Sequence, residues 1–309
     1  MLTGFILAAG FGTRLRPITD HVPKALVSVC GSPLLQHSLS YVRSQGIERI
    51  GVNTHHFPDR MIQFQSQSSI PFTLLHETGS IRGTGGALYF ARDFLSQHSE
   101  FFACNVDIIA SVPLMGLYEK FLDMKCVAGL VAVPVAQGGS IYYDFVTKEY
   151  AGARIDGAGA GSGADFIGMA FYKKEFLSVL TADDFSIVPV WSRARGMGYS
   201  VKVLEIQPSY WIDAGTPAAL AQVHFDVIEK KCILTTPREM VIDAVKKRAY
   251  LPSYTPSDIE RLGHSVWCEA DSLPSDVFLE RSVVFSDAVF PPGKLLHTML
   301  VTPWGTIGF

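Results

Sequence analysis

A doubly wound α/β fold on a mainly parallel sheet, followed by a short C-terminal segment of another kind, is what the sequence predicts. Three observations carry that expectation. Through the first two thirds of the 309 residues, short apolar runs alternate with stretches patterned for helices. The first of these runs empties at once into a turn rich in glycine and cations, where a parallel sheet presents a ligand loop. Near the C-terminal end, the alternation gives way to branched apolar residues recurring every six positions.

Strands are expected at Gly4–Ala9, Arg49–Asn53, Phe72–Leu75, Phe101–Cys104, Val127–Val133, Phe166–Phe171 and Val201–Ile206, each a short apolar run bounded by turn formers. Helical patterns lie between them near Leu34–Gln45, Thr84–Leu95, Pro113–Met124, Lys174–Leu180 and Ile187–Arg195. Strand and helix in alternation imply a mainly parallel sheet with helices on both faces. Residues 136–165 break the rhythm. Strand-like Ile141–Val146 and Tyr150–Ile155 read as a hairpin about Thr147-Lys148-Glu149, and Gly157–Gly163 as a loop, either a lid or a surface connection.

Thr216 is placed to cap a helix over Pro217–Lys230 with Pro217 at its first position. A second helix is expected over Pro237–Arg248. Val277, Val283, Val289, Leu295 and Val301 then stand six apart, the spacing of a left-handed parallel β-helix. That stretch holds no more than about one and a half coils, and an ordinary β-hairpin appendage is the alternative. Two domains are therefore expected: 1–235, and 236–309 as a helical linker with a hexapeptide-repeat-like cap. The cap is where copies of the chain are expected to associate as a homo-oligomer.

Hydrophobic residues make up 48% of the chain and charged ones 18%, the balance of a protein with a sizeable core rather than a disordered one. A formal net charge of −3 argues against a broad nucleic-acid surface, which rewards strong basicity. The five cysteines, Cys30, Cys104, Cys126, Cys232 and Cys268, form no CxxC pair and read as reduced core thiols. No signal-peptide pattern opens the sequence, and no apolar run approaches the ~20 residues of a membrane span. A cytoplasmic protein without a membrane partner is expected.

The opening loop carries the chemistry. After Phe5-Ile6-Leu7-Ala8-Ala9, the residues Gly10 and Gly12 permit positive φ and close approach, and Arg14, Arg16 and Lys24 gather positive charge against Asp20 alone. A loop so built meets an anion, most commonly phosphate. It is neither of two common phosphate loops: Leu15 stands where a GxGxxG fingerprint needs its third glycine, and no GK[ST] closes it.

Taken whole, LAAGFGTRLRPITDHVPKAL (Leu7 to Leu26) resembles the signature loop of the sugar-1-phosphate nucleotidylyltransferases, roughly LAAGxGTRLxPxTxxxPKxL. Four further stretches follow in the family's order: Gly83-Thr84-Gly85-Gly86-Ala87-Leu88, Asn105-Val106-Asp107, Phe166-Ile167-Gly168 and Trp211-Ile212-Asp213-Ala214-Gly215-Thr216. The resemblance covers about the first 230 residues and implies a Rossmann-like nucleotidyltransferase core. It implies an enzyme that joins a nucleoside triphosphate and a sugar 1-phosphate into a nucleoside diphosphate sugar, releasing pyrophosphate with the help of Mg²⁺.

Carried over residue by residue, the resemblance gives Leu7, Ala8, Ala9, Gly10, Gly12, Thr13, Arg14, Glu77, Gly83, Thr84 and Gly85 to the nucleotide. Arg14 is expected at the β and γ phosphates, and Lys24 at the α phosphate or the sugar phosphate. Asp107 and Asp213 are expected to hold the metal, so that Arg14, Lys24 and Asp107 are the catalytic set. The bland alternatives are a helix cap before Ile108–Val112 for Asp107 and a turn residue before Thr216 for Asp213. Gly168 belongs to the sugar side. The chain departs from the family where a Glu-Lys-Pro lysine is usual; Arg154 stands in that region as a substitute, or Lys24 serves alone. His55 and His56 are adjacent on a strand end and point apart, which disfavours a metal site. GTP with mannose 1-phosphate is the expected pair, and UTP with an amino-sugar 1-phosphate the alternative. A metal-dependent glycosyltransferase and an inert nucleotide-sugar-binding module are the other readings.

Overall fold

The computed structural model describes residues 2–154, 161–293 and 295–309. It divides into two compact units, one of Met1–Gly10 with Ser38–Trp211 and one of Phe11–His37 with Ile212–Phe309. The cation-bearing loop is thus grouped with the C-terminal part of the chain.

In the first unit a mixed, mostly parallel sheet forms from β1 (Thr3–Leu7), β2 (Arg49–Thr54), β3 (Thr73–His76), β4 (Glu100–Asn105), β5 (Ala128–Val135), β6 (Ile141–Tyr143), β7 (Tyr150–Ala153), β8 (Ser162–Lys173) and β9 (Val201–Glu205). β3, β2, β1 and β4 are parallel neighbours. The twelve-residue β8 runs against them between β4 and β5, and β9 closes that side parallel to β5. The expected hairpin is β6–β7, attached to the start of β8. Its second strand ends at Ala153; Ile155, the last residue of its expected span, and most of the Gly157–Gly163 loop lie outside the described residues.

Registry explains how one sheet serves two helical layers. Phe101 pairs with Tyr172 and Phe102 with Phe171, so successive residues send an aromatic pair to each face, ring centroids 5.1 Å apart in both cases. Such pairs add about 0.5–1.5 kcal/mol beyond the area they bury. The helices of this unit include Pro58–Gln67, α1 (Gly83–Phe90), α2 (Leu114–Asp123) and α3 (Ile187–Gly196). The expected Lys174–Leu180 helix is a tighter 3₁₀ turn over Lys174–Ser178.

In the second unit, α4 (Pro217–Ile228) starts as expected, with Thr216 Oγ1 accepting a hydrogen bond from the Ala219 amide at 3.2 Å. The expected Pro237–Arg248 helix is replaced by a hairpin of β10 (Val241–Asp243) and β11 (Arg248–Tyr250). Asp243 Oδ1 accepts from the amides of Val245 and Lys246 and Lys247 takes φ 51°, a turn that ends any helix. Beyond it lie β12 (Val266–Cys268), β13 (Phe278–Glu280), β14 (Val283–Val284), β15 (Leu295–His297), β16 (Met299–Thr302) and β17 (Gly305–Gly308).

β11, β12, β14 and β16 form a parallel ladder in which each partner lies sixteen to eighteen residues further along; β13 and β15 pair likewise. The parallel pairing is longer than the sequence implied, because it begins at Arg248. Val277, Val283 and Val301 are fully buried as the repeat predicts, but Val289 and Leu295 are 62% and 65% exposed, and Leu296 takes the inner place. Partner spacings of sixteen or seventeen residues, short of three full hexapeptides, shift the phase. No helix among the described residues is long and apolar enough to cross a membrane.

Candidate active site

Two groups of residues answer to the expected chemistry, one in each unit. In the first unit, β1 ends at Leu7 and the next amide, that of Ala8, donates to Asn53 Oδ1 at 2.6 Å. Asn53 Nδ2 donates to Glu77 Oε1 at 2.8 Å, and the Arg82 amide donates to Glu77 Oε2 at 3.2 Å. Asn53 and Glu77 are each only 1% exposed. Both carboxylate oxygens of Glu77 therefore hold protein, and the residue pins the strand ends to the glycine-rich loop. Asn53 is the partner that sequence reasoning left without this role.

The glycines that follow are required by packing. A Cβ on Gly83, which sits at φ 67°, would stand 2.0 Å from the Phe185 carbonyl oxygen; on Gly85 and Gly86 it would stand 3.0 and 2.9 Å from that of Asp184. The segment they admit is held in turn by Arg193, whose guanidinium grips the Asp184 carboxylate with two nitrogens and also donates to the Val179 carbonyl. Thr84 Oγ1 accepts from the Ile187 amide at 2.9 Å, which fixes the start of α3 against α1.

Between sheet and helices this leaves a cavity of about 170 Å³. Leu7, Thr84, Asn105, Gly168, Tyr172 and Ser186 are among its walls, so three expected ligand residues meet there. Its depth comes from Ala103, Ala170 and Gly168 on the sheet. Gly168, at φ 75°, marks the irregularity in the β8–β5 pairing, and a Cβ there would stand 2.9 Å from Asn105 Nδ2. Asp107 follows β4 and is 5% exposed. A short strand, Ile108–Ala110, comes next, so the helix-cap alternative falls. Burial, then the Asp107 charge, pushes the Cys104 thiol up to about 12. Among the candidates lower in the chain, His55 Nε2 bonds the Gly79 carbonyl at 2.7 Å, a loop-packing role. Arg154 is exposed at the edge of the described residues.

In the second unit the loop is three consecutive 3₁₀ turns, Thr13–Leu15, Ile18–Asp20 and Lys24–Leu26. Leu15, Ile18 and Ala25 are fully buried and fasten its inner side. Gly12, at φ 65°, lets the chain turn above Thr19 and Lys24, and its carbonyl accepts from Thr19 Oγ1 at 2.9 Å. Arg14 is then directed outward, where Nη2 lies 3.3 Å from Asp213 Oδ2. The other oxygen of Asp213 accepts from the Gly215 amide at 2.8 Å, so the turn role and a charged role coexist on one side chain. Arg16 pairs with Asp20 at 3.0 Å.

Among the described residues no three His, Cys, Asp or Glu side chains gather into a metal cage. Magnesium does not require one, since one or two carboxylates with substrate phosphates and water suffice.

Residues 3–143 match the family described as nucleotidyl transferase. The match covers a little under half of the chain. The matched part carries all the site residues of the first unit up to Asp107, together with the whole opening loop. Mannose-1-phosphate guanylyltransferase 1 of Arabidopsis thaliana is 26% identical over 249 residues, which is 74% of this chain and 66% of that protein. A mannose-1-phosphate guanyltransferase of Candida glabrata is 30% identical over 174 residues, 50% of this chain and 48% of that one. The chain thus spans about half to two thirds of the length of these relatives. In fold it is similar to HddC from Yersinia pseudotuberculosis complexed with GMP-PN, with TM-score 0.60 and 23% identity over 72% of this chain and 98% of that one.

Proposed function

We propose that this protein transfers a nucleotidyl group from a nucleoside triphosphate to a sugar 1-phosphate, with GTP and mannose 1-phosphate as the pair. The observation that carries the reading is the Arg14–Asp213 contact. The loop cation and the strand-end carboxylate, far apart in sequence, meet in one unit. The names of the relatives support the choice of base and sugar.

The chemistry follows from charge. Both reactants are anions, and two unit charges ~4 Å apart repel by about 4 kcal/mol at an effective dielectric near 20. Phosphoryl-type transfer relies on positioning and charge stabilisation, with little work for a proton donor. Arg14 is assigned to the β and γ phosphates, where leaving-group charge grows, and Lys24 to the α or sugar phosphate. Arg14 and Asp213 are both about half exposed, and such a pair is worth about 0–1 kcal/mol, so a triphosphate displaces it at little cost. Asp107 in the first unit and Asp213, thus released, in the second are each assigned as a carboxylate that would ligate Mg²⁺, which supplies positive charge to phosphate oxygens when bound. Leu7 and Thr84 are assigned to the nucleotide side of the first-unit cavity, and Gly168 to the sugar side.

Pyrophosphate release measured over a panel of triphosphates and sugar 1-phosphates tests the assignment. GTP with mannose 1-phosphate is expected to lead it; no turnover with any pair would refute the reaction class. Asp107→Asn and Asp213→Asn are each expected to lower turnover by ~10²-fold or more in a folded protein, as the loss of a charge stabiliser does. Near-normal rates in both would remove the metal assignment.

A further inference from the structure

The C-terminal hairpin reaches the cation-bearing loop within the second unit. The indole of Trp304 stacks on the imidazole of His21, centroids 5.2 Å apart and planes within 5° of parallel. His21 stands at the elbow of the loop: its amide donates to the Ile18 carbonyl at 3.0 Å, closing the Ile18–Asp20 turn, and Lys24 opens the next turn three residues on.

Trp304 is itself rigidly carried. It sits between β16 and β17, where Thr302 Oγ1 accepts from the Trp304 amide at 3.2 Å and donates to the Gly305 carbonyl at 2.8 Å. Thr302 is fully buried, and Leu300 and Val301 on the same strand are buried and continue the parallel ladder through β14. A second tie lies further along the loop, where the Cys30 amide donates to Nε2 of the buried His224 at 2.9 Å.

We propose that Trp304 is a positioning residue for the cation-bearing loop, and that the C-terminal coil acts on the reaction through it. Short 3₁₀ turns hold themselves poorly, since their hydrogen-bond geometry is weak. Buried Leu15, Ile18 and Ala25 fasten the inner side; the indole restrains the outer side at the elbow between Arg14 and Lys24. Without it the loop samples other geometries, and a ligand pays for the fraction of time in which the competent one is present. A loop competent for a tenth of the time binds with an apparent affinity about ten-fold weaker. The kinetic part of this inference rests on the triphosphate reading of the loop; the structural part does not.

The experiment pairs hydrogen exchange with steady-state kinetics on the full chain, using Trp304→Ala, Trp304→Phe, His21→Ala and the Trp304→Ala/His21→Ala double variant. Trp304→Ala is expected to speed exchange of the amides over residues 13–26 while leaving the sheet of the first unit unchanged. It should raise KM for the triphosphate about ten-fold with a much smaller change in kcat. Trp304→Phe should restore both, and the double variant should be no worse than either single one, because both remove the same contact. Unchanged exchange over 13–26 in Trp304→Ala and His21→Ala would overturn the restraint. Faster exchange with an unaltered KM would overturn its role in binding. If the wild-type protein proved inactive with every substrate pair, the exchange result would still decide the restraint while the functional reading failed. Should Trp304→Ala not fold, His21→Ala carries the same test from the loop side.

Discussion

The two glycine-rich segments of this protein look alike in sequence and do different work. Around Gly83–Gly86, a Cβ would strike backbone oxygens of residues 184 and 185, so these glycines exist to let one piece of protein pass another. In the opening loop, a Cβ on Gly10 would meet nothing within 4 Å, and on Gly12 it would meet side-chain carbons of Thr19 and Lys24. The first segment is filled by its own fold; in the second, Gly12 is crowded by side chains of its own loop and Gly10 faces open space. A glycine is therefore a poor reporter of ligand contact until its surroundings are known.

The difference is sharpest at Gly83. Gly83→Ala is expected to destabilise by about 4 kcal/mol, from backbone overlap together with a strained positive φ. Urea unfolding checks it; a loss under 1 kcal/mol would erase the contrast.

The footing of each segment supplies a second test. Behind the first is Glu77, with donors on both oxygens. Behind the far end of the other is Glu269, 4% exposed, accepting from Trp267 Nε1 at 2.5 Å beside a cavity of about 30 Å³ that Gly31 also lines. Burial pushes the Glu269 carboxyl up to about 7 from an ordinary 4.5. A carboxyl whose pKa is higher in the fold keeps its proton better there than in the unfolded chain. Its contribution is therefore intact below about pH 4.5 and lost as pH climbs towards 7, amounting to about 3 kcal/mol. His224 works the other way: burial lowers it to about 4, and stability is lost as pH falls from about 6.5. Glu269→Gln keeps an acceptor for the indole but cannot ionise. Its unfolding free energy should therefore gain on the wild type between pH 5 and pH 8. Identical pH slopes for the two proteins would show that Glu269 does not titrate there.

The smallest effect on stability is expected at Gly10. Gly10→Ala should alter unfolding by no more than about 0.5 kcal/mol, as at an uncrowded position. It should still lower kcat/KM for the triphosphate if the backbone there approaches phosphate. Unchanged stability with unchanged kinetics would take Gly10 out of the residues assigned to the nucleotide.

Most of the strand positions in the first unit were legible because buried strands are apolar runs with turn formers at their ends, as at Phe101–Cys104 and Val201–Ile206. The antiparallel course of β8 was not, since direction is set by what a strand pairs with, which its own residues do not encode. The Val241–Tyr250 hairpin was misread because its Lys-rich turn resembles an exposed helix face; Asp243 was the overlooked signal. The six-residue repeat placed Val283 and Val301 inside but failed at Val289 and Leu295, where the coil is shorter than the repeat. At the site, Arg14 and Asp213 could each be singled out from motif alone. That Glu77 is enclosed by Asn53 and Arg82, or that Trp304 lies on His21, depends on contacts across the chain that no local pattern encodes.

The Arg14–Asp213 contact has a consequence for the protein at rest. A lone guanidinium on the surface attracts whatever small anion is abundant, and a substrate would first have to evict that occupant. With a carboxylate already beside it, the guanidinium offers much less to a stray sulfate or inorganic phosphate. A triphosphate, with its several negative charges, can still outbid the weak internal partner. Under the proposed function, the Arg14–Asp213 pair would serve as a weak placeholder that a triphosphate displaces.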